Sequence, residues 1–138
     1  ALVTLVQWLE AAGRKQEAQA LLDQGLKDHP EAALLQHSLG LALIRAGKTA
    51  QAMPALLKAA RLEPQNAQYG YVLAVALHDS GKVDEACLEL ERLLKEQPAN
   101  RNARLSLIQY YLENGQEPKA QALLQGWKKM NMGDPALK

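Results

Sequence analysis

Gly13, Gly47, Gly81 and Gly115 stand 34 residues apart. Ala18, Ala52, Ala86 and Ala120 keep the same spacing, each five residues after its glycine, and Pro30, Pro64 and Pro98 follow the first three glycines by seventeen. A chain with this period folds as a stack of equivalent units. One unit cannot bury its apolar face alone, and stacking makes a continuous core. A period of 34 fits two helices joined by a tight turn, and such solenoids mostly bind partners rather than transform substrates.

The period divides each unit into two predicted helices. The first helices are expected over about residues 1–12, 33–46, 67–80 and 101–114, and the second over about 16–28, 50–62, 84–96 and 117–130. The glycine falls just past each first helix, where a left-handed C-cap needs a residue without Cβ. The proline falls just past the second helix, where its missing N–H does no harm. Thr49 and Asp84 lie near the starts of second helices, as caps or first-turn residues. Hydrophobic residues make up 48% of the chain, with Leu and Ala dominant and Phe absent. Both are strong helix formers, so the expected class is all-α.

Matched positions stay apolar from unit to unit. Leu5, Leu39, Leu73 and Leu107 are in register, as are Leu9, Leu43, Leu77 and Tyr111 four residues on and on the same helical face. In the second helices Leu22, Leu56, Leu90 and Leu124 stand four residues beyond the repeated alanines. The alanine lets two helices approach and the leucines fill the space between them.

The pattern resembles the tetratricopeptide repeat over essentially the whole chain. Leu39-Gly40, Gly47, Ala52, Ala59 and Pro64 match the family's Leu-Gly pair, turn glycine, close-packing alanines and closing proline, and Leu73-Ala74, Gly81, Ala86 and Pro98 match nearly as well. The resemblance implies an α-solenoid of four helix-turn-helix units in a right-handed superhelix. The units span about 1–32, 33–66, 67–100 and 101–130, with a tail over 131–138. Gln36, Gly70 and Arg104 stand where the family has an aromatic near the start of the first helix. Val6 and Ile108 replace the small residue after the leucine, Trp127 stands where a small residue is usual, and Met132 replaces the last proline.

The two ends differ. Gln121 and Lys128 are in register with Met53 and Ala60, and with Cys87 and Leu94, which should touch the following unit. Their polarity marks 117–130 as the C-terminal edge of the array. Leu2, Val3, Leu5, Val6, Trp8 and Leu9 make the first helix apolar nearly all round, where a surface helix would show one stripe. Leu2, Val6 and Leu9 are therefore expected to pack against upstream chain or a partner, with dimerisation through this helix as the alternative.

In the tetratricopeptide family the first helices line the concave face. Helical spacing then selects a stripe: Val3, Gln7 and Glu10; Leu34, His37, Leu41 and Ile44; Gln68, Tyr71, Val75 and His78; Asn102, Leu105, Gln109 and Leu112. Leu34, Leu41, Tyr71, Val75 and Leu105 would form an apolar track rimmed by amides and imidazoles. Such a groove suits an amphipathic helix or extended apolar segment of a protein partner. The alternative is that helix curvature buries these residues between neighbouring helices. Family members that clamp acidic chaperone tails use Lys, Arg and Asn. Val3, Gln7, Ser38, Gln68 and Val72 occupy the matching places, and none is basic, so charge-assisted donors for a carboxylate are missing.

Other chemistry finds little support. Sixteen basic against fifteen acidic residues argue against a large electrostatic footprint for nucleic acid, and no stretch approaches a membrane span. Cys87, the only cysteine, is expected as a small buried apolar residue. His29 is expected in an exposed turn. His37 and His78 fall on different units without Cys or carboxylate at metal-ligand spacing, so no metal or other cofactor is expected. Glu91, Arg92, Lys95 and Glu96 read as solvated helix faces, and Tyr110-Tyr111 as packing between units. No constellation supports an enzyme. Residues 66–81, with Tyr69, Tyr71, Ala76, Leu77, His78, Asp79 and Ser80, are also similar to C-terminal repeats of bacterial proteins whose N-terminal part resembles a multiheme cytochrome. That resemblance implies a bacterial, exported parent in which this domain docks on a larger enzyme or redox protein. The residues themselves do not choose between periplasm and cytoplasm.

Overall fold

A computed structural model describes residues 2–130 as eight α-helices. They are α1 (Leu2–Ala11), α2 (Lys15–Asp28), α3 (Ala33–Arg45), α4 (Thr49–Leu62), α5 (Ala67–Asp79), α6 (Val83–Glu96), α7 (Arg101–Glu113) and α8 (Glu117–Met130). The expected tail from Asn131 to Lys138, Met132 included, lies outside the described residues. Each helix packs mainly on the one before and the one after it, so the molecule is a solenoid-like helical repeat.

The turn glycines behave as their spacing requires. Gly13, Gly47, Gly81 and Gly115 have φ of 79°, 76°, 82° and 72°, the left-handed region that costs an ordinary residue a Cβ clash. Gly47 donates to the Ile44 carbonyl at 2.9 Å and Lys48 to the Leu43 carbonyl at 2.8 Å. These are the paired bonds of a Schellman cap, and Gly13, Gly81 and Gly115 repeat them. At the other helix ends, Asn66 accepts from the Gln68 and Tyr69 amides and Asn100 from that of Ala103. Thr49 opens α4 and Asp84 lies in the first turn of α6, but neither is the N-cap; Lys48 and Lys82 hold those positions without a side-chain bond.

The core is built from the repeated positions. Leu22, Leu56 and Leu90 are fully buried, and Ala18, Ala52, Ala86 and Ala120 are at most 3% exposed. A Cβ on Gly40 would lie 2.4 Å from the Leu56 side chain, so the Leu-Gly pair is a point of helix contact. Cys87 is buried in the cluster joining α6 to α7, and burial pushes its thiol up.

The position that carries an aromatic in the family has taken up a polar task. The Gln36 amide donates to the Pro30 carbonyl at 2.9 Å, and the Arg104 guanidinium donates to the Pro98 carbonyl at 2.7 Å and to that of Leu123. In the third unit Gly70 has no side chain to do this. Arg92 reaches in from α6 and donates to the Pro64 carbonyl at 3.1 Å. Arg92 and Arg61 also hold the buried Glu89 carboxylate, at 2.7 and 3.2 Å. Glu91 accepts from the Tyr111 hydroxyl at 2.8 Å. Glu91 and Arg92 are thus structural links rather than the solvated face their spacing suggested.

Candidate interaction site

The first helices stand side by side, joined by contacts one unit apart. Arg45 pairs with Glu10 at 2.6 Å, linking α3 to α1. The Tyr71 and Ser106 hydroxyls hydrogen-bond at 3.2 Å, linking α5 to α7. His78 stacks on Tyr110 with ring centroids 4.0 Å apart and planes 3° from parallel, and its Nε2 lies 2.5 Å from a Glu113 carboxylate oxygen. That bond, helped by the one to Asp79, raises the His78 pKa above its usual value despite partial burial; the same bond lowers that of Glu113.

The expected stripe divides into three sets. Leu34 and Leu105 are about half exposed (50% and 44%), and Gln68, Asn102 and Gln109 are exposed beside them. Leu41, Ile44, Tyr71, Val75 and His78 are partly buried. His37 leaves the stripe: it is 6% exposed and its ring lies 4.5 Å from that of Tyr69. Its Nδ1 is buried without a hydrogen-bond partner, and burial lowers its pKa. The reason is the following unit. His37, Tyr71 and Leu105 are in register, and this position turns toward the next first helix. His37 meets Tyr69 there, Tyr71 meets Ser106, and Leu105 meets no further helix among the described residues. Leu112 is 53% exposed in the same way, where its counterpart His78 is stacked. Both readings of the stripe therefore apply, each to different residues.

The N-terminal face is corrected. Val6 and Leu9 are 2% and 5% exposed, and they pack, with partly buried Leu2, against α2 in the core of their own unit. The open face of α1 is formed by Leu5 at 44% and Trp8 at 59%. Leu5 was expected in the core with its register mates. At the other end Gln121 and Lys128 are exposed, and Trp127 is 9% exposed with the Arg101 guanidinium 5.7 Å from its ring centroid.

Two open cavities lie between first and second helices, the first of them reaching Gln7 and Glu10 at the start of the stripe. One of about 490 Å³ sits between α1, α2 and α3, over Val6, Ala18 and Leu22. The other, about 530 Å³, sits between α4, α5 and α6 and is floored by Met53, Leu57, Leu73 and Leu88. Little in the pattern of residues signals either, beyond Leu57 and Leu88 on the outer sides of second helices. Among the described residues no group of three His, Cys, Asp or Glu could hold a metal ion, and no helix is long and apolar enough to cross a membrane. His29 is exposed at the end of α2, and Tyr110 and Tyr111 are buried at 6% and 7%.

Repeated helix pairs with broad open faces define a helical-repeat protein. The chain belongs to the tetratricopeptide repeat family: family models match residues 4–67 and 37–92, and a further one residues 88–138. The fold is similar to solved structures of MamA. A mutant of MamA is 25% identical with a TM-score of 0.73, over 90% of this chain and 72% of that one. A crystal structure of MamA protein is 20% identical with a TM-score of 0.80, over 97% and 75%. No curated protein sequence matches the chain. Tetratricopeptide repeats are protein-interaction repeats, generally without catalysis of their own, and the chain is accordingly a protein-interaction scaffold.

Proposed function

We propose that the first helices bind a protein segment with an apolar face, a helix or an extended peptide, along Leu34, Leu41, Tyr71, Val75 and Leu105. The observation that carries this is the half-exposed Leu34. It lies in an interior unit, with further units following it, yet no neighbouring helix covers it. Leu41, Tyr71 and Val75 continue its apolar surface, and Gln68, Asn102 and Gln109 supply amides at the edge. An apolar track edged by neutral hydrogen-bonding groups suits a ligand that buries one face and leaves its backbone or polar rim satisfied. The unit boundaries near residues 32, 66 and 100 belong to the same proposal, since they set which side chains recur along the track.

The test is selection from a displayed library of amphipathic helical and extended peptides against the intact chain. Binders are expected to lose at least tenfold in affinity on Leu34→Asp combined with Leu105→Asp, with helicity by circular dichroism unchanged. Binders indifferent to that pair would place recognition elsewhere, the cavity between α4 and α6 first.

A further inference from the structure

The solenoid contains its own template for what covers the open face of α1. Three junctions join a second helix to the next first helix: α2 to α3, α4 to α5 and α6 to α7. At the last two, the same pair of register positions on the first helix is buried; at the first, only Leu39 of the pair packs and Ala42 lines an open cavity. Leu73 and Ala76, at 2% and 4% exposure, share a core cluster with Ala52, Leu56 and Ala60 of α4. Leu107 and Tyr110, at 2% and 6%, share one with Cys87, Leu90 and Leu93 of α6. Leu39 packs against the cluster that holds Leu22 of α2. Leu5 is in register with Leu39, Leu73 and Leu107, and Trp8 with Ala76 and Tyr110. These two are the exposed ones. The face thus repeats the first-helix side of the α4–α5 and α6–α7 junctions, and a bulky aromatic already occupies the Trp8 position in the second of them.

The α4–α5 and α6–α7 junctions also state the chemistry of the opposing side, whereas α2 carries Gln19 with Leu22 and Leu26 at the same places. Met53, Leu56 and Ala60 of α4, and Cys87, Leu90 and Leu94 of α6, are apolar at positions i, i+3 and i+7. This spacing lays one stripe along a helix. The chain's own last helix carries Gln121, Leu124 and Lys128 at those places, with Gln121 and Lys128 exposed. A second copy docking head to tail would press the Lys128 ammonium, in register with Leu26, Ala60 and Leu94, onto the Leu5–Trp8 face and desolvate a charge without a partner.

We propose that the Leu5–Trp8 face docks an amphipathic helix of second-helix type, apolar at i, i+3 and i+7. This surface is separate from the track on Leu34 to Leu105 and independent of the reading given to it.

The test grafts a second copy of residues 64–102, Pro64 with α5, α6 and the connection to α7, ahead of Ala1, so that the Arg92 latch on the Pro64 carbonyl is carried over. The period continues unbroken, because Ala1 is in register with Ala103. The readout is fluorine NMR of the chain labelled with 5-fluorotryptophan, the two resonances assigned with Trp8→Phe. The graft is expected to move the Trp8 resonance and to abolish most of its solvent-isotope shift, leaving Trp127 in place. Glutamate at the grafted copies of Leu90 and Leu94 is expected to restore the solvent-exposed signal. A Trp8 resonance that keeps its exposed values in the graft, or responds equally to the glutamate graft, overturns the proposal. So does protection of Trp8 that grows with concentration in the ungrafted chain alongside a doubled mass in sedimentation, which would assign the face to a symmetric pair of α1 helices.

Discussion

The Arg92 guanidinium donates to the Pro64 carbonyl at 3.1 Å, and nothing on α5 could do so, because the residue in register with Gln36 and Arg104 is Gly70. A Cβ at Gly70 would lie 2.9 Å from Leu93 Cδ2, 3.0 Å from Arg92 Nη2 and 3.2 Å from Glu89 Oε1. The glycine is the space through which α6 reaches the inter-unit turn. Gly70→Leu should therefore destabilise by about 1–3 kcal/mol, although leucine is the better helix former. Urea unfolding checks this. A variant as stable as the parent would show that the Arg92 bridge is dispensable.

Register equivalence without packing equivalence can be measured directly. Leu73→Ala should cost about 2–5 kcal/mol, since the side chain is enclosed between α4 and α5. Leu5→Ala, the same substitution two units earlier, should cost less than about 1 kcal/mol, because nearly half of Leu5 already faces water. Equal losses would contradict the open face of α1.

The two histidines of the first helices should give opposite pH responses. His78 is raised by its bond to Glu113, and Glu113 is lowered by the same bond. The His78 contribution is full below the ordinary value of 6.5 and is lost as pH rises through its higher folded value. The Glu113 contribution is full above 4.5 and is lost as pH falls through its lower folded value. The link between α5 and α7 is therefore strongest between 4.5 and 6.5. The Tm difference between the parent and Glu113→Gln should peak in that window and shrink toward pH 8; a flat difference counts against the pair.

His37 works the other way. Burial lowers its pKa below 6.5, so the unfolded chain takes up a proton there before the folded one does. Stability is lost as pH falls from 6.5 toward the folded value. His37→Phe keeps a ring against Tyr69 and removes the orphaned Nδ1. Its Tm advantage over the parent should be larger at pH 5.5 than at pH 8, and an advantage independent of pH would mean that His37 does not titrate in this way.

Much of the fold was legible because it is written in local terms. Glycines with positive φ, alanines at close approaches and leucines four residues on placed the helix boundaries within one or two residues. The candidate site was legible only in part. Whether a first-helix residue faces solvent depends on what the next unit places beside it. His37 is closed by Tyr69, while Leu105, in the same register, stays open. Helical spacing gives a direction and does not report the neighbour. Glu89 was missed for a related reason: a carboxylate on a second helix reads as solvated until arginines on two different helices, α4 and α6, enclose it. The readable clue was the vacancy at Gly70 together with Arg92 three residues after Glu89.

The three proline carbonyls that close the inter-unit turns are held by Gln36, Arg92 and Arg104, two from the helix that follows and one from the helix after that. The backbone repeats, but its fastenings do not. Units of this chain are therefore not interchangeable parts: α5 transplanted without α6 would arrive with no latch for its turn, and α3 placed before α6 would bring two donors to one carbonyl. Duplication or recombination of this array can proceed cleanly only at breakpoints that keep α5 and α6 together.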